Sequence, residues 1–313
     1  MITRALFAGL LLFSASLITK AETPQYEASI DAFRLTTSNV VSFLTGAEFT
    51  RLEMPVSVAS TGNYVYFFDA GLNGVYRYDR ASQQAVTMNE PSARIASKDI
   101  DLFVNEFQEL YVLDVAGGQV LRYDFQGNLT QVYRDPLNLN APQAMCINPL
   151  NRHLFIADKY YSHVIEFGVG GNPVALHGLR VADNAGAGSH IIDMACGKES
   201  FYVVASLSKE VKRFTYQGQF IEGMSRNRVN RPSAMALDEK GRLYIADRYN
   251  DTINVFQDGT FVGAFGGSGS GPNGFRDIED LWFDGPFLYV ADSANRRIQV
   301  FIVRHYAAQG NQE

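Results

Sequence analysis

The chain has 313 residues, 46% of them hydrophobic and 19% charged, an ordinary globular composition with ample material for a core. A net charge of −6 argues against nucleic acid or an anionic membrane surface as the main partner. Two cysteines, Cys146 and Cys196, exclude a disulfide framework, and without a CxxC spacing they make a poor metal site.

From the N-terminus, residues 1–21 have the form of an export signal: Arg4, an apolar stretch from Ala5 to Ile18, and a cleavage site at Thr19-Lys20-Ala21. The apolar stretch is short for a membrane span, and no cysteine follows it for lipid anchoring. A retained N-terminal anchor is the alternative. The expected product is a soluble periplasmic or secreted protein without stable membrane insertion. Residues 22–38 read as a leader.

From residue 39 to 303 one pattern recurs six times. An apolar run ends in Asp, or once in Ser, and five or six residues later a second run opens that ends on an aromatic residue. The first runs are VYFFD (65–69), LYVLD (110–114), LFIAD (154–158), FYVVAS (201–206), LYIAD (243–247) and LYVAD (288–292). Their last residues, Asp69, Asp114, Asp158, Ser206, Asp247 and Asp292, are 45, 44, 48, 41 and 45 residues apart. Paired strands at that period predict an all-β, six-bladed β-propeller with four-stranded antiparallel blades, strands a to d. The recurrent Asp is expected to cap the turn between strands b and c. Too little chain follows strand c of the sixth unit for a strand d, and residues 304–313 read as a tail. The apolar segment NVVSFL, Asn39 to Leu44, is therefore expected to supply that strand and close the ring. Both cysteines fall in strand a of neighbouring units. Two buried free thiols are the preferred reading, with a disulfide between adjacent blades as the alternative.

The segments Asp247-Arg-Tyr-Asn-Asp-Thr-Ile-Asn-Val-Phe256, Asp292-Ser-Ala-Asn-Arg-Arg-Ile-Gln-Val-Phe301 and Arg231-Pro-Ser-Ala-Met-Ala-Leu-Asp238 resemble the hallmark of NHL repeats. The glycine-rich run Phe265 to Phe275 is similar to the linker between NHL blades. The resemblance is strongest in units 5 and 6 and weakest in 1 and 4. It implies a six-bladed propeller but no single activity, because NHL-like propellers include protein- and RNA-binding modules, extracellular sensors and a peptide-amidating lyase.

Strand a lines the channel of a propeller, so its residues are the first candidates for chemistry. The aligned positions are Ser57, Asp101, Ala144, Asp193, Ala234 and Asp280: carboxylates on blades 2, 4 and 6, small residues between them. Three converging carboxylates must hold a cation, meet Arg or Lys, or keep a proton. Oxygen ligands favour Ca2+ or Mg2+, and metal binding in gluconolactonase-like and lyase propellers points the same way by analogy. The alternative is solvated or salt-bridged carboxylates. Around the same face, Lys98, Arg226, Arg228 and Arg231 are candidates to bind an anionic ligand, although arginines there also have Asp277 and Glu279 to pair with. His190, three residues before Asp193, is the candidate general base. Tyr160 and Tyr161 are candidates for an exposed aromatic contact.

The reading is an exported binding module that engages a protein, peptide or glycan through its loop face. The first alternative is a metal-dependent lactonase or lyase at the channel mouth. The second is a structural subunit of a cell-envelope complex.

Overall fold

The computed structural model describes residues 23–35, 49–88, 91–92, 100–159, 163–179, 191–206, 210–225 and 228–303. They form a six-bladed β-propeller: six sheets, each with four antiparallel strands that run outward from the channel from strand a to strand d. Strands a are Pro55–Thr61, Ile100–Val104, Pro142–Ile147, Ile191–Cys196, Pro232–Leu237 and Ile278–Asp284. Among the described residues no helix is long and apolar enough to cross a membrane. The export signal and the tail lie outside the described residues.

Burial along each blade follows from the packing. Blades stack face to face, so strand b is covered on both sides; it is buried at every position in blades 2 to 5. That is why the strand-b runs are continuously apolar and read clearly in the sequence. Strand d sits at the rim and alternates, as in Pro173–Gly178, where exposed positions outnumber partly buried ones. Aromatic residues fill the seams: Phe155, Phe201 and Tyr216 meet between blades 3 and 4, with ring centroids 5.3–6.0 Å apart.

The recurrent Asp caps the b–c turn as expected and also reaches backward. The fully buried Asp69 accepts Gly71 N and Leu72 N of its own turn at 2.9 and 3.0 Å, and Glu53 N and Met54 N at 2.8 and 3.0 Å. Asp247 likewise takes Tyr249 N together with Asn230 N and Arg231 N. One carboxylate thus ties the loop entering strand a to the turn leaving strand b, and satisfies backbone donors that neither strand can pair.

Three features correct the sequence reading. An N-terminal strand does close the ring, but it is Gln25–Ile30, which pairs antiparallel with Arg297–Ile302 as strand d of blade 6. Asn39 to Leu44 lie outside the described residues. The ring therefore begins inside the expected leader. Gln25–Ile30 has no apolar run because a rim strand needs few buried positions: Tyr26 packs on Phe301, and Ile30 is buried. Second, Ala32–Leu35 follows after the single residue Asp31 and pairs in parallel with Gln84–Thr87, strand d of blade 1. Phe49–Arg51 then adds to it, making the first sheet six-stranded. Third, Cys146 and Cys196 form a disulfide rather than free thiols. Neighbouring strands a converge on the axis, which brings these two Cα atoms to 5.5 Å, inside the bridging range.

Candidate functional site

The channel positions read from the sequence hold. Ser57, Asp101, Ala144 and Asp280 each pair with the residue just before the strand-b marker, namely Phe68, Leu113, Ala157 and Ala291, and Asp193 pairs with Val204, two residues before Ser206. In most blades a bulge precedes this position; blade 2 has none. The bulge turns the side chain inward at the axis.

The three carboxylates meet at the waist of the channel and line two cavities. One of about 320 Å3 opens on the face of the d–a and b–c loops, with Gln143, Ser233 and Glu279 among its walls. The other, of about 280 Å3, opens on the opposite face and includes Phe103, Trp282 and both cysteines.

Each carboxylate is held by backbone donors. Asp193 accepts Met194 N at 2.7 Å and, across the seam to blade 5, Met235 N at 2.5 Å. Asp280 accepts Leu281 N at 2.7 Å and, across the seam to blade 1, Val58 N at 2.7 Å and the Ser57 hydroxyl at 2.8 Å. The Ser57 oxygen also accepts Leu102 N of blade 2 at 3.0 Å and lies 3.4 Å from Asp101. Ser57 therefore joins blades 6, 1 and 2. As one of the small residues between the carboxylates it carried no sequence signal for this role.

Burial and mutual repulsion set the protonation. Burial, then the charges of Asp280 and Asp193, raise the Asp101 carboxyl well above the usual range, against the Leu102 amide and Ser57. Burial and Asp280 do the same to Asp193, against two backbone amides. Burial pushes Asp280 up to about 6, opposed by its three donors. An enclosed carboxyl cluster at near-neutral pH keeps protons among its members.

The donor chemistry, oxygen only, suits a hard cation. The geometry does not: the oxygens of Asp193 and Asp280 are turned onto N–H groups. Among the described residues no three His, Cys, Asp or Glu side chains form a group that could hold a metal ion. In this arrangement the carboxylates of Asp193 and Asp280 act as staples between neighbouring blades.

Arg248 pairs with Asp277 at 2.9 Å and with Glu279. Arg297 pairs with Asp292 at 2.8 Å. Burial pushes the Glu279 carboxyl up, opposed by Arg248 and, further down, Arg231. Arg228 stacks on Phe261, a rim strand, at 4.8 Å and so points away from the channel. Lys98, Tyr160, Tyr161, His190 and Arg226 lie outside the described residues. Spacing also missed a cluster on blade 3, where the Glu166 carboxylate accepts from His153 Nδ1 at 2.6 Å and from His177 Nε2 at 2.9 Å. Pairing of strands c and d brings Glu166 and His177 together, and His153 enters from the residue before strand b.

A family model described as "6-bladed beta-propeller" matches residues 221–310. No curated protein matches. Among solved structures, the chain is similar to a streptogramin B lyase at 12% identity and TM-score 0.59, over 88% of this chain and 97% of that one. It is similar to a gluconolactonase from Xanthomonas campestris at 14% identity and TM-score 0.62, over 92% and 99%. A structural genomics protein of unknown function from Bacteroides thetaiotaomicron aligns at 15% identity and TM-score 0.65, over 90% and 73%. At these identities the likeness is one of fold.

Proposed function

We propose that this chain is an exported propeller that binds a protein, peptide or glycan through the face of its d–a and b–c loops, and that it is not a metal-dependent hydrolase. The observation that carries the reading is the engagement of Asp193 and Asp280 by backbone amides. Carboxylates so engaged are structural, which leaves the roughly 320 Å3 mouth above them as a recognition surface. The Cys146–Cys196 disulfide supports export, because such bonds persist in oxidising compartments.

The second reading, a metal-dependent lactonase or lyase, is favoured by one observation, the convergence of three carboxylates at the axis of a fold shared with a gluconolactonase and a streptogramin B lyase. One pair of measurements separates the two. The mature protein, assayed on glucono-δ-lactone with and without Ca2+, is expected to show no calcium-dependent turnover. The immobilised protein is expected to retain a reproducible envelope component, with retention lost in the Tyr160→Ala/Tyr161→Ala double variant. Calcium-dependent turnover abolished by Asp193→Asn would transfer the reading to the enzyme.

A further inference from the structure

A cavity of about 440 Å3 lies outside the channel. It is a cleft between blades 4 and 5 on the face of the a–b and c–d turns, opposite the loop face discussed above. Its size lies within the about 300–1,000 Å3 typical of small-molecule sites.

The repeat itself shows why the cleft is open. Strand c carries an arginine at its third position in blades 1, 2 and 4, namely Arg77, Arg122 and Arg213; Arg122 meets Glu109 and Thr130 of its own blade. At the seam of blades 1 and 2, Arg77 is covered: its guanidinium lies 3.7 Å from the ring centre of Phe125 and bonds the Phe125 carbonyl. Phe125 comes from the c–d turn of blade 2 and also packs on Tyr64. At the seam of blades 4 and 5 the corresponding turn is Asp258-Gly259. A Cβ at position 259 would stand 3.2 Å from Glu222 Oε2, so the turn approaches the cleft wall without filling the cleft. The residue that plugs one seam is absent from the other, and Arg213 lines an open space.

Inside, Arg213 is fixed. Its Nε donates to Ser200 Oγ at 2.7 Å and its Nη1 to Glu222 Oε1 at 3.1 Å, with the guanidinium 5.6 Å from the Tyr202 ring. The pair is internally neutral, and it sets a guanidinium donor beside a carboxylate acceptor in a rigid frame. Beneath it the floor is apolar, formed by Leu237, Leu243 and Phe256. On the rim the two a–b turns carry exposed Lys198-Glu199 and Glu239-Lys240, and Asp258 adds one further carboxylate. A strongly charged ligand of either sign would meet its own charge here. A neutral ligand rich in hydroxyl groups would use both kinds of partner, since each hydroxyl donates and accepts. Pro149, Cys196, Leu237 and Phe283 line this cleft and the axial cavity alike, so the two adjoin along the direction from rim to axis. That shape suits an extended ligand.

We infer that the cleft between blades 4 and 5 is a second binding site, for a neutral oligosaccharide, held by the Arg213–Glu222 pair over an apolar floor. The test is calorimetric titration of the full mature chain with cellotetraose, maltotetraose, mannotetraose and xylotetraose, with tetragalacturonate and tetraglucosamine as anionic and cationic comparators. At least one neutral tetraose is expected to bind, with affinity at least tenfold weaker in Arg213→Gln and in Glu222→Gln. Both side chains are partly exposed (27% and 38%); Arg213→Gln removes the donor to the buried Ser200 hydroxyl, whereas Glu222→Gln keeps the Arg213–Ser200 bond. Should one variant fold poorly, the other and the wild-type protein still decide. Trp282, the single tryptophan, lines the adjoining axial cavity, and its fluorescence is expected to change with the neutral ligand. Binding of the charged comparators alone, binding of no neutral tetraose, or neutral binding unaffected by either variant would each overturn the inference.

Discussion

Ser57 is one hydroxyl that receives an amide hydrogen from blade 2 and gives its own to Asp280 of blade 6. Around it, Asp101, Asp193 and Asp280 are enclosed and mutually repelling, and their carboxyls are all raised, Asp280 to about 6. The unfolded reference is about 3.9. Between the two values the folded protein binds more protons than the unfolded chain, so this contribution to stability is full below about pH 4 and is lost as pH rises through the folded values. Each unit of elevation is worth about 1.4 kcal/mol. Asp101 has the fewest cross-seam amide donors of the three, so Asp101→Asn removes one titrating carboxyl at small structural cost. Scanning calorimetry from pH 4 to pH 8 is expected to show a shallower fall of melting temperature in Asp101→Asn than in the wild type. An unchanged slope would mean that the trio does not hold these protons.

Strands a of blades 3 and 4 run side by side at the axis and are linked covalently through Cys146 and Cys196 across a sequence separation of 50 residues. Closing a loop of that length in the unfolded chain is worth roughly 4 kcal/mol in the chain-entropy model. The Cys146→Ala/Cys196→Ala protein is therefore expected to unfold at lower urea with a loss of that order, read from equilibrium denaturation under oxidising conditions. A midpoint equal to that of the wild type would show that the bridge does not constrain the unfolded state. Blade 4 has the weakest repeat signal, with Ser206 in place of Asp and the shortened b–c turn. The bridge joins that blade to its neighbour, so a covalent link stands where the repeated carboxylate cap is missing.

Across the whole molecule, the ring is closed by the N-terminal segment. Gln25–Ile30 completes blade 6, and Ala32–Leu35 immediately lies along the edge of blade 1, so one continuous stretch clasps the last blade to the first. Asp280, Trp282 and Asp284 reinforce the same seam through Val58 N, Ser60 O at 2.8 Å and Ser60 Oγ at 3.0 Å. Removal of residues 1–31 would strip strand d from blade 6 and bare the backbone edge of Arg297–Ile302. The truncated chain is expected to lose a few kcal/mol of stability and to self-associate, as measured by thermal melting and size-exclusion chromatography. A monomer that melts with the wild type would refute a closing role for this strand.

How much of this was legible in the chain depended on burial. Strands b and c, packed between neighbouring blades, must be apolar, and the Asp after strand b recurs because every blade has the same backbone donors to satisfy; the number of blades and the channel positions follow from these alone. The rim strand Gln25–Ile30 contacts other residues through one face and so left no run to recognise. The pairing of Cys146 with Cys196, the role of Ser57 and the His153–Glu166–His177 cluster each depend on distances between separate strands, which spacing along the chain does not encode. The same holds for the chemistry at the axis. Three carboxylates facing one channel were readable from the sequence, but whether they turn toward a cation or toward neighbouring amides depends on how far apart the strands a lie, and only the closed ring sets that distance.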